Sequence, residues 1–423
     1  MDDLDVWVEE NWDLALTVRE WWRRLVDAGL AHPTWPDSVG GSGVSARQAR
    51  DVTAVLARHH VVAPATGHVA ATLAAPTIIE HGTSAQVQEH LRAIALGERS
   101  WCQLFSEPGS GSDLASVGTR AVHDGEGWVV TGQKVWSSAA NDADMGMLLA
   151  RTDSDVPKHE GLTYFVIDMH QPGIEVRPLR TMNGSSQFCE VFFSEARVRA
   201  DAVIGELGGG WRVAQTTLAH ERSSVAGGLG SGLYPARSGT RGDLDRSVGE
   251  VVERARSVAR NRGAIGSGAV PTKAMLELAR RHDVAADPVM RQRLAAYISR
   301  VRINGWTMRR ISASGGRLTD ADGSMAKMAT ARICQESRDL SYSIVGARGL
   351  LAGSESPFGG DLQRVNLASP GTRIGGGTDE IQLNVLGERA LGLPREAMAD
   401  RDVAYRDLRV GTQPADRTRV QLG

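Results

Sequence analysis

Apolar residues recur at two periods along the chain, and the period changes twice. Trp7, Leu14, Val18, Trp21 and Leu25 fall at three-, four- and seven-residue spacings, which predicts one face of a helix. His32-Pro33, Trp35-Pro36 and Gly40-Gly41 end that helix, and further helical stretches run from Ala46 to about Leu96. From about residue 99 to 205 the pattern becomes short β-type runs: WCQLF at 101–105, GWVVTG at 127–132, MGMLLA at 145–150, LTYFVID at 162–168 and CEVFF at 189–193. Asp124-Gly125 and Pro172-Gly173 are turn signals between them. Helical spacing returns at Gly210-Trp211. A strong helix is predicted from Asp287-Pro288, with Met290, Leu294, Ile298, Val301 and Met308 inward. Another follows Ser324, with Met325, Met328, Ile333, Leu340 and Ile344 inward. Between residues 227 and 268 lie ten glycines, which predicts a flexible insertion or a poorly formed helix.

The order helix–strand–helix predicts an α+β multidomain chain. Its parts are a helical domain over 1–98, a middle β-sandwich or barrel over 99–205, a helical domain over 206–395 and a charged tail over 396–423. The absence of alternating β-α units disfavours a doubly wound nucleotide fold.

Composition narrows the function classes. The 423 residues carry 48 basic and 50 acidic side chains, a formal charge of −2, which removes the footprint of a general nucleic-acid binder. Cys102, Cys189 and Cys334 are widely spaced and match no metal pattern; a reducing, cytoplasmic setting is expected. The acidic start, MDDLDVWVEE, does not read as a signal peptide, and no apolar run approaches the roughly 20 residues of a membrane helix. His59-His60 and His220 lack the further ligands that a metal site needs.

Four segments carry candidate chemistry. In QLFSEPGSGSDLASVGTRA (103–121) a β-type run ends in a Gly/Ser loop that offers hydroxyls and N–H groups to a polar ligand, although such a loop also serves as a plain hairpin connection. TGQKVWSSAANDAD (131–144) places a lysine, an aromatic and paired hydroxyls after a strand. In RIGGGTDEIQLNVLGERALGLP (373–394) a glycine turn opens a helix capped near Thr378, whose N-terminus can hold an anion. GWRVAQTTLAHERSSVAGG (210–228) puts Glu221 and Arg222 on a helix behind Val213, Leu218 and Val225; a helical Glu beside an Arg is also a common solvated arrangement.

In this order and at these separations, the four segments resemble the acyl-CoA dehydrogenase flavoproteins over about residues 10–395. The resemblance implies a helical N-terminal domain, a middle β-domain, a C-terminal four-helix domain, and FAD held between the last two with help from a neighbouring subunit. It implies that Gln103, Phe105 and Ser106 line the flavin and that Ser112 lies near the pyrophosphate end of CoA. Trp136 would pack on the isoalloxazine, and Ser138 would hydrogen-bond near N5. Thr378 and Glu380 would sit near the FAD phosphates or ribose. Gly346 and Gly349, in SIVGARGLL, would form the turn that meets the partner's FAD.

The family chemistry takes a proton from Cα of an acyl thioester and passes hydride from Cβ to flavin N5. It needs a carboxylate base in a dry site and donors to the thioester oxygen. Many members carry the base just before the Gly-Thr of the third segment, where this chain has Gly376. An isovaleryl-like minority carries it at the position of Glu221. Glu221 is therefore the expected base, Arg222 the holder of the CoA phosphate end or of the helix register, and the N–H of Gly376 a donor to the thioester oxygen. The family's Arg-x-x-Phe-Gly contact to FAD is missing, with Arg280, Arg281 or Arg291 as candidate replacements. The resemblance implies an acyl-CoA dehydrogenase of fatty acid or steroid degradation, passing electrons to an electron-transfer flavoprotein, as a homo- or hetero-oligomer. Its alternatives are a supporting subunit of a mixed α2β2 assembly, and a flavin oxidase or monooxygenase on the same fold.

Overall fold

The computed structural model describes residues 2–65, 69–225, 233–261, 268–313, 319–395 and 400–408. The first helical face predicted from Trp7 to Leu25 is two helices, α1 (Asp2–Asn11) and α2 (Val18–Asp27). The break comes from Thr17. Its side chain accepts from the N–H of Glu20, and the Glu20 carboxylate reaches back to the N–H of Thr17 at 2.8 Å, a capping box that starts a new helix. Leu14, in the connection, is exposed. α2 buries Trp21, Trp22 and Leu25, and the two indole N–H groups donate to the carbonyls of Val62 and Ala63 at 2.9 and 2.8 Å. The helices α3 (Ala46–Arg58), α4 (Ala75–His81) and α5 (Ser84–Ala95) follow, with a π-helical turn at Ala70–Ala74 leading into α4.

The middle strands are β1 (Trp101–Leu104), β2 (Arg120–His123), β3 (Gly127–Ser138), β4 (Met145–Arg151), β5 (Leu162–Asp168), β6 (Ile174–Leu179), β7 (Phe188–Arg199) and β8 (Val203–Ile204). They make one mixed sheet in the order β6-β7-β3-β2-β4-β5-β8, with β1 parallel to β4. Period-two alternation divides its side chains between two cores. Leu148 and Ala150 of β4 join Phe165, Cys189, Val191 and Phe193 in a core that the curled sheet encloses. Met147 and Leu149 face the opposite way and join the N-terminal helices, together with Phe105 and Tyr164.

The C-terminal part holds α6 (Gly210–Val225), α7 (Val248–Asn261), α8 (Thr272–Arg281), α9 (Pro288–Ala313), α10 (Asp320–Val345), α11 (Asp361–Ala368) and α12 (Asp379–Val385). Met275, Leu278, Leu294, Tyr297, Ile333 and Leu340 pack its core. α10 begins a turn earlier than Ser324, because Thr319 and Asp322 form another capping box, and Met325 is half-exposed instead of inward. Within the glycine-rich stretch, residues 226–232 and 262–267 lie outside the described residues, but α7 is a regular helix. It is anchored by fully buried Asp243, which accepts from Arg254 at 2.6 and 2.8 Å and from the N–H of Arg237 at 2.8 Å. In the charged tail, residues 396–399 and 409–423 lie outside the described residues, whereas residues 400–408 dock on the middle sheet. No helix among the described residues is long and apolar enough to cross a membrane.

Candidate active site

Three distant segments meet at one carboxylate. Glu221 lies on α6, and its Oε2 accepts from Gln103 Nε2, at the end of β1, at 3.3 Å. A Cβ placed on Gly376, in the turn before α12, would stand 3.7 Å from Glu221 Oε1. A side chain at 376 would therefore enter the space that the Glu221 carboxylate faces.

Backbone and hydroxyl contacts fix α6 in this position. Gly210, its first residue, sits against β5 so closely that a Cβ would fall 2.6 Å from the carbonyl carbon of Thr163. One turn before Glu221, and on the same face, buried Thr217 shares hydrogen bonds with Thr77 (2.9 Å) and Tyr164 (3.2 Å). The start of α10 packs beside Arg222, where a Cβ on Gly323 would meet that of Arg222 at 3.2 Å. Sequence reasoning missed Thr77, Tyr164 and Thr217. Of these, only Thr217 carried a local signal, its four-residue spacing from Glu221.

The turn at 373–378 is held from behind. Gln382 donates to the carbonyl of Gly376 at 2.7 Å, and Lys327 donates to the carbonyl of Arg373 at 3.3 Å. Gly376 has φ +67°, a left-handed conformation that a side chain would strain. Thr378 caps α12 by accepting from the N–H of Ile381, and Glu380 is exposed.

The Gly/Ser loop at 106–119 is closed at its base by a buried ion pair. Lys134 of β3 donates to Glu107 Oε1 and to the carbonyl of Phe105, both at 2.9 Å; the N–H groups of Gly118 and Thr119 donate to Glu107 at 2.7 and 2.8 Å. Burial alone would raise the Glu107 carboxyl, but the Lys134 charge and these donors outweigh it and hold it below the usual carboxylate range. Glu107 was not among the residues expected from the sequence, because a Glu in a loop reads as solvated.

The N–H of Val135 donates to the carbonyl of Ser106 at 2.9 Å, so the loop starts beside β3. There the β3–β7 register shifts between Lys134 and Ser137, a bulge that gives Trp136 φ +63°. Bulges re-aim side chains, and Trp136 is 55% exposed, its ring edge-on to Phe188 at 5.7 Å. Ser106 and Ser138 are half-buried, and Ser112 is exposed at the loop tip. Phe105 differs: it packs in the core, edge-on to Tyr164 at 5.8 Å. Gly346 and Gly349 lie in the 3-10 turn Gly346–Leu350 that follows α10. Arg280, Arg281 and Arg291 are exposed, with Arg281 paired to Glu277. Among the described residues, no group of His, Cys, Asp and Glu could hold a metal.

Comparison with known proteins agrees with this architecture. Models of the N-terminal, middle and C-terminal domains of acyl-CoA dehydrogenase match residues 4–98, 102–196 and 208–391. Acyl-CoA dehydrogenase FadE34 of Mycobacterium tuberculosis is 38% identical over 373 residues, 88% of this chain and 46% of that protein, so the chain spans about half of FadE34. Acyl-CoA dehydrogenase IpdE1 of the same organism is 34% identical over 388 residues, 90% of this chain and 89% of that protein. The solved ChsE4-ChsE5 complex from Mycobacterium tuberculosis is 25% identical with a TM-score of 0.64, covering 93% of this chain and 97% of the other. With matches to all three domains and a relative aligned along nearly its whole length, this chain belongs to the acyl-CoA dehydrogenase family.

Proposed function

We propose that the chain is an FAD-dependent acyl-CoA dehydrogenase that introduces a double bond between Cα and Cβ of an acyl-CoA thioester, in fatty acid or steroid degradation. The observation that carries this reading is the meeting of Glu221 with Gly376 at the end of β1. A carboxylate and a glycine share one space, so one residue supplies the base and the other leaves room and a backbone N–H.

In this reading Glu221 takes the Cα proton onto a carboxylate oxygen. Gln103 donates to that carboxylate and orients it. The N–H of Gly376 donates to the thioester oxygen, where negative charge develops. The left-handed turn, held by Gln382, keeps that donor fixed before the substrate arrives.

The residues around the β3 bulge suit a flavin. An exposed indole offers a stacking face, and Ser106 and Ser138, both half-buried, supply hydroxyls from the adjoining loop start and strand end. FAD, when bound, supplies a two-electron acceptor for the hydride leaving Cβ. Gln103, Ser106, Trp136 and Ser138 would hold its ring end, with Phe105 contributing backbone, and Thr378 and Glu380 would lie toward its phosphates or ribose. Gly346 and Gly349 would meet a partner subunit's FAD. Electron-transfer flavoprotein is the proposed acceptor. The missing Arg-x-x-Phe-Gly contact favours assembly with a second subunit that supplies an arginine, as a homo- or hetero-oligomer; the similar ChsE4-ChsE5 protein is itself a complex of two.

The test is anaerobic titration of the FAD-loaded protein with a panel of acyl-CoA thioesters. The wild type is expected to lose its yellow flavin absorbance with at least one thioester. Glu221→Gln should keep the flavin spectrum and not bleach. Normal bleaching by that variant would overturn the assignment of the base.

A further inference from the structure

Residues 400–408 run back onto the middle domain and close over the far side of the Gly/Ser loop. The N–H of Tyr405 donates to the carbonyl of Val156 at 2.9 Å and that of Arg406 to Ser154 at 3.0 Å, while Ala404 bridges to Pro157. Tyr405 is only 4% exposed, although it lies 18 residues from the last residue of the sequence.

Its ring lies under the Arg151 guanidinium, 3.5 Å from the ring centroid, and its hydroxyl donates to the carbonyl of Ser116 at 3.3 Å. The same buried Arg151 donates to the carbonyls of Ala115 (2.6 Å) and Val117 (3.2 Å). Lys158 supplies a second tie, donating to Asp400 at 2.9 Å and to Asp113 at 3.1 Å. The segment thus grips residues 113–117, the turn that directly follows Ser112. Ser110 donates to the carbonyl of Ser116 at 2.9 Å, so the tip and this turn are one unit.

Asp113 beside an exposed hydroxyl would repel an anion. Here its carboxylate, still 56% exposed, is paired with Lys158 and accepts from Ser116 Oγ at 2.5 Å, and with Ser110 buried the tip presents the exposed Ser112 hydroxyl. Lys158 keeps its proton above the usual ammonium range: burial works against the charge, but the hydrogen bonds it donates to Asp400 and Asp113 outweigh it. A cation held between two carboxylates also stays where it is, near the tip.

We propose that residues 400–408 form a strap that fixes the 110–113 tip and thereby sets affinity for the phosphate-bearing end of a CoA thioester, with Tyr405 and Asp400 as positioning residues. The proposal rests on the reading of the chain as an acyl-CoA dehydrogenase. Cation–π stacking and a buried aromatic ring supply the grip, and a rigid tip lowers the ordering cost of binding.

The experiment uses full-length, FAD-loaded protein, with coenzyme A as the calorimetric probe and the best acyl-CoA of the panel as substrate. Tyr405→Ala should weaken coenzyme A binding and raise KM by about tenfold, with kcat within about twofold of wild type. Asp400→Asn, a change at the half-exposed end of the strap, should move both in the same direction by about threefold. Hydrogen exchange of the 113–118 amides should quicken in both. If the wild type binds coenzyme A and neither variant changes affinity or KM, the strap is merely structural and the proposal falls. A fall in kcat at constant KM overturns it as well. If Tyr405→Ala does not fold, Asp400→Asn decides. A wild type that binds no coenzyme A overturns the functional reading, and the strap proposal with it.

Discussion

Glu107 and Glu221 are two glutamates at the edges of one site, and the fold treats them in opposite ways. Glu107 is buried with a lysine and two backbone N–H groups on its oxygens, and it ties the two ends of a loop. Its charge is neutralised locally, so it cannot usefully trade protons. Glu221 is half-buried, meets the amide of Gln103, and looks across at a glycine that has no side chain to offer. A carboxylate becomes structural when the chain surrounds it with donors; the role proposed for Glu221 uses the space that Gly376 leaves in front of it.

The largest expected effect comes from moving the carboxylate. Glu221→Gly should lower kcat by about a thousandfold or more, as loss of a general base does. Adding Gly376→Glu to that variant should restore at least about tenfold, limited by the strain of a side chain at a left-handed position, about 1–2 kcal/mol. Steady-state kinetics of the pair decide it: no recovery in a protein that retains FAD would mean that the two positions do not reach the same substrate carbon.

Removing the structural carboxylate should act on stability instead. Glu107→Gln leaves Lys134 buried without its counter-charge and should cost about 3–5 kcal/mol in chemical denaturation. The acid limb gives a second reading. Because Glu107 is held below its ordinary value of 4.5, its contribution is full above that pH and is lost as the pH falls. The stability gap between wild type and variant should therefore narrow below about pH 4.5. A gap that stays constant with pH would show that the effect is packing alone.

Asp243 extends the comparison to the glycine-rich stretch. Burial disfavours its charge, but hydrogen bonds and charge from Arg254 and the Arg237 N–H hold it at about 2, below the usual 3.8. Its stabilisation is present above pH 3.8 and lost as the pH falls toward 2. Asp243→Asn should cost about 1–2 kcal/mol near neutral pH, reduced by water around its half-exposed arginines. The smallest effect is at Thr378: replacing this cap with alanine should cost about 1 kcal/mol of stability and, because Thr378 is proposed to lie near FAD, kcat is read with FAD saturating, where it should stay nearly unchanged. A large loss of kcat there would mean that the Gly376 donor depends on the cap.

Much of the scaffold was legible because it is local. The run at 162–168 is β5 residue for residue, and Asp287-Pro288 starts α9 as cap and first turn, with Asp287 accepting from the N–H of Met290 at 2.7 Å. Where the reading erred, a cap outweighed the period. Trp7 to Leu25 keeps helical spacing, yet Thr17 and Glu20 restart the helix in its middle. The glycine-rich stretch misled in the other direction: composition suggested a flexible insertion or a poorly formed helix, but one buried aspartate and its arginines anchor α7 as a regular one.

Residue types and short-range spacing determined on their own that this chain is helical, then β, then helical; the family resemblance added that the carboxylate many members carry at 376 is a glycine here, with a glutamate at 221. They act within a few residues, through caps, turns and amphipathic faces, so a single strand of text contains them. Only the tertiary structure decided that Glu221 and Gly376, 155 positions apart, face one space, that Glu107 finds Lys134, and that Tyr405 returns to clasp the loop. Those contacts depend on how helices and sheet pack in three dimensions, and packing pairs residues by shape and desolvation, which leave no period in the sequence.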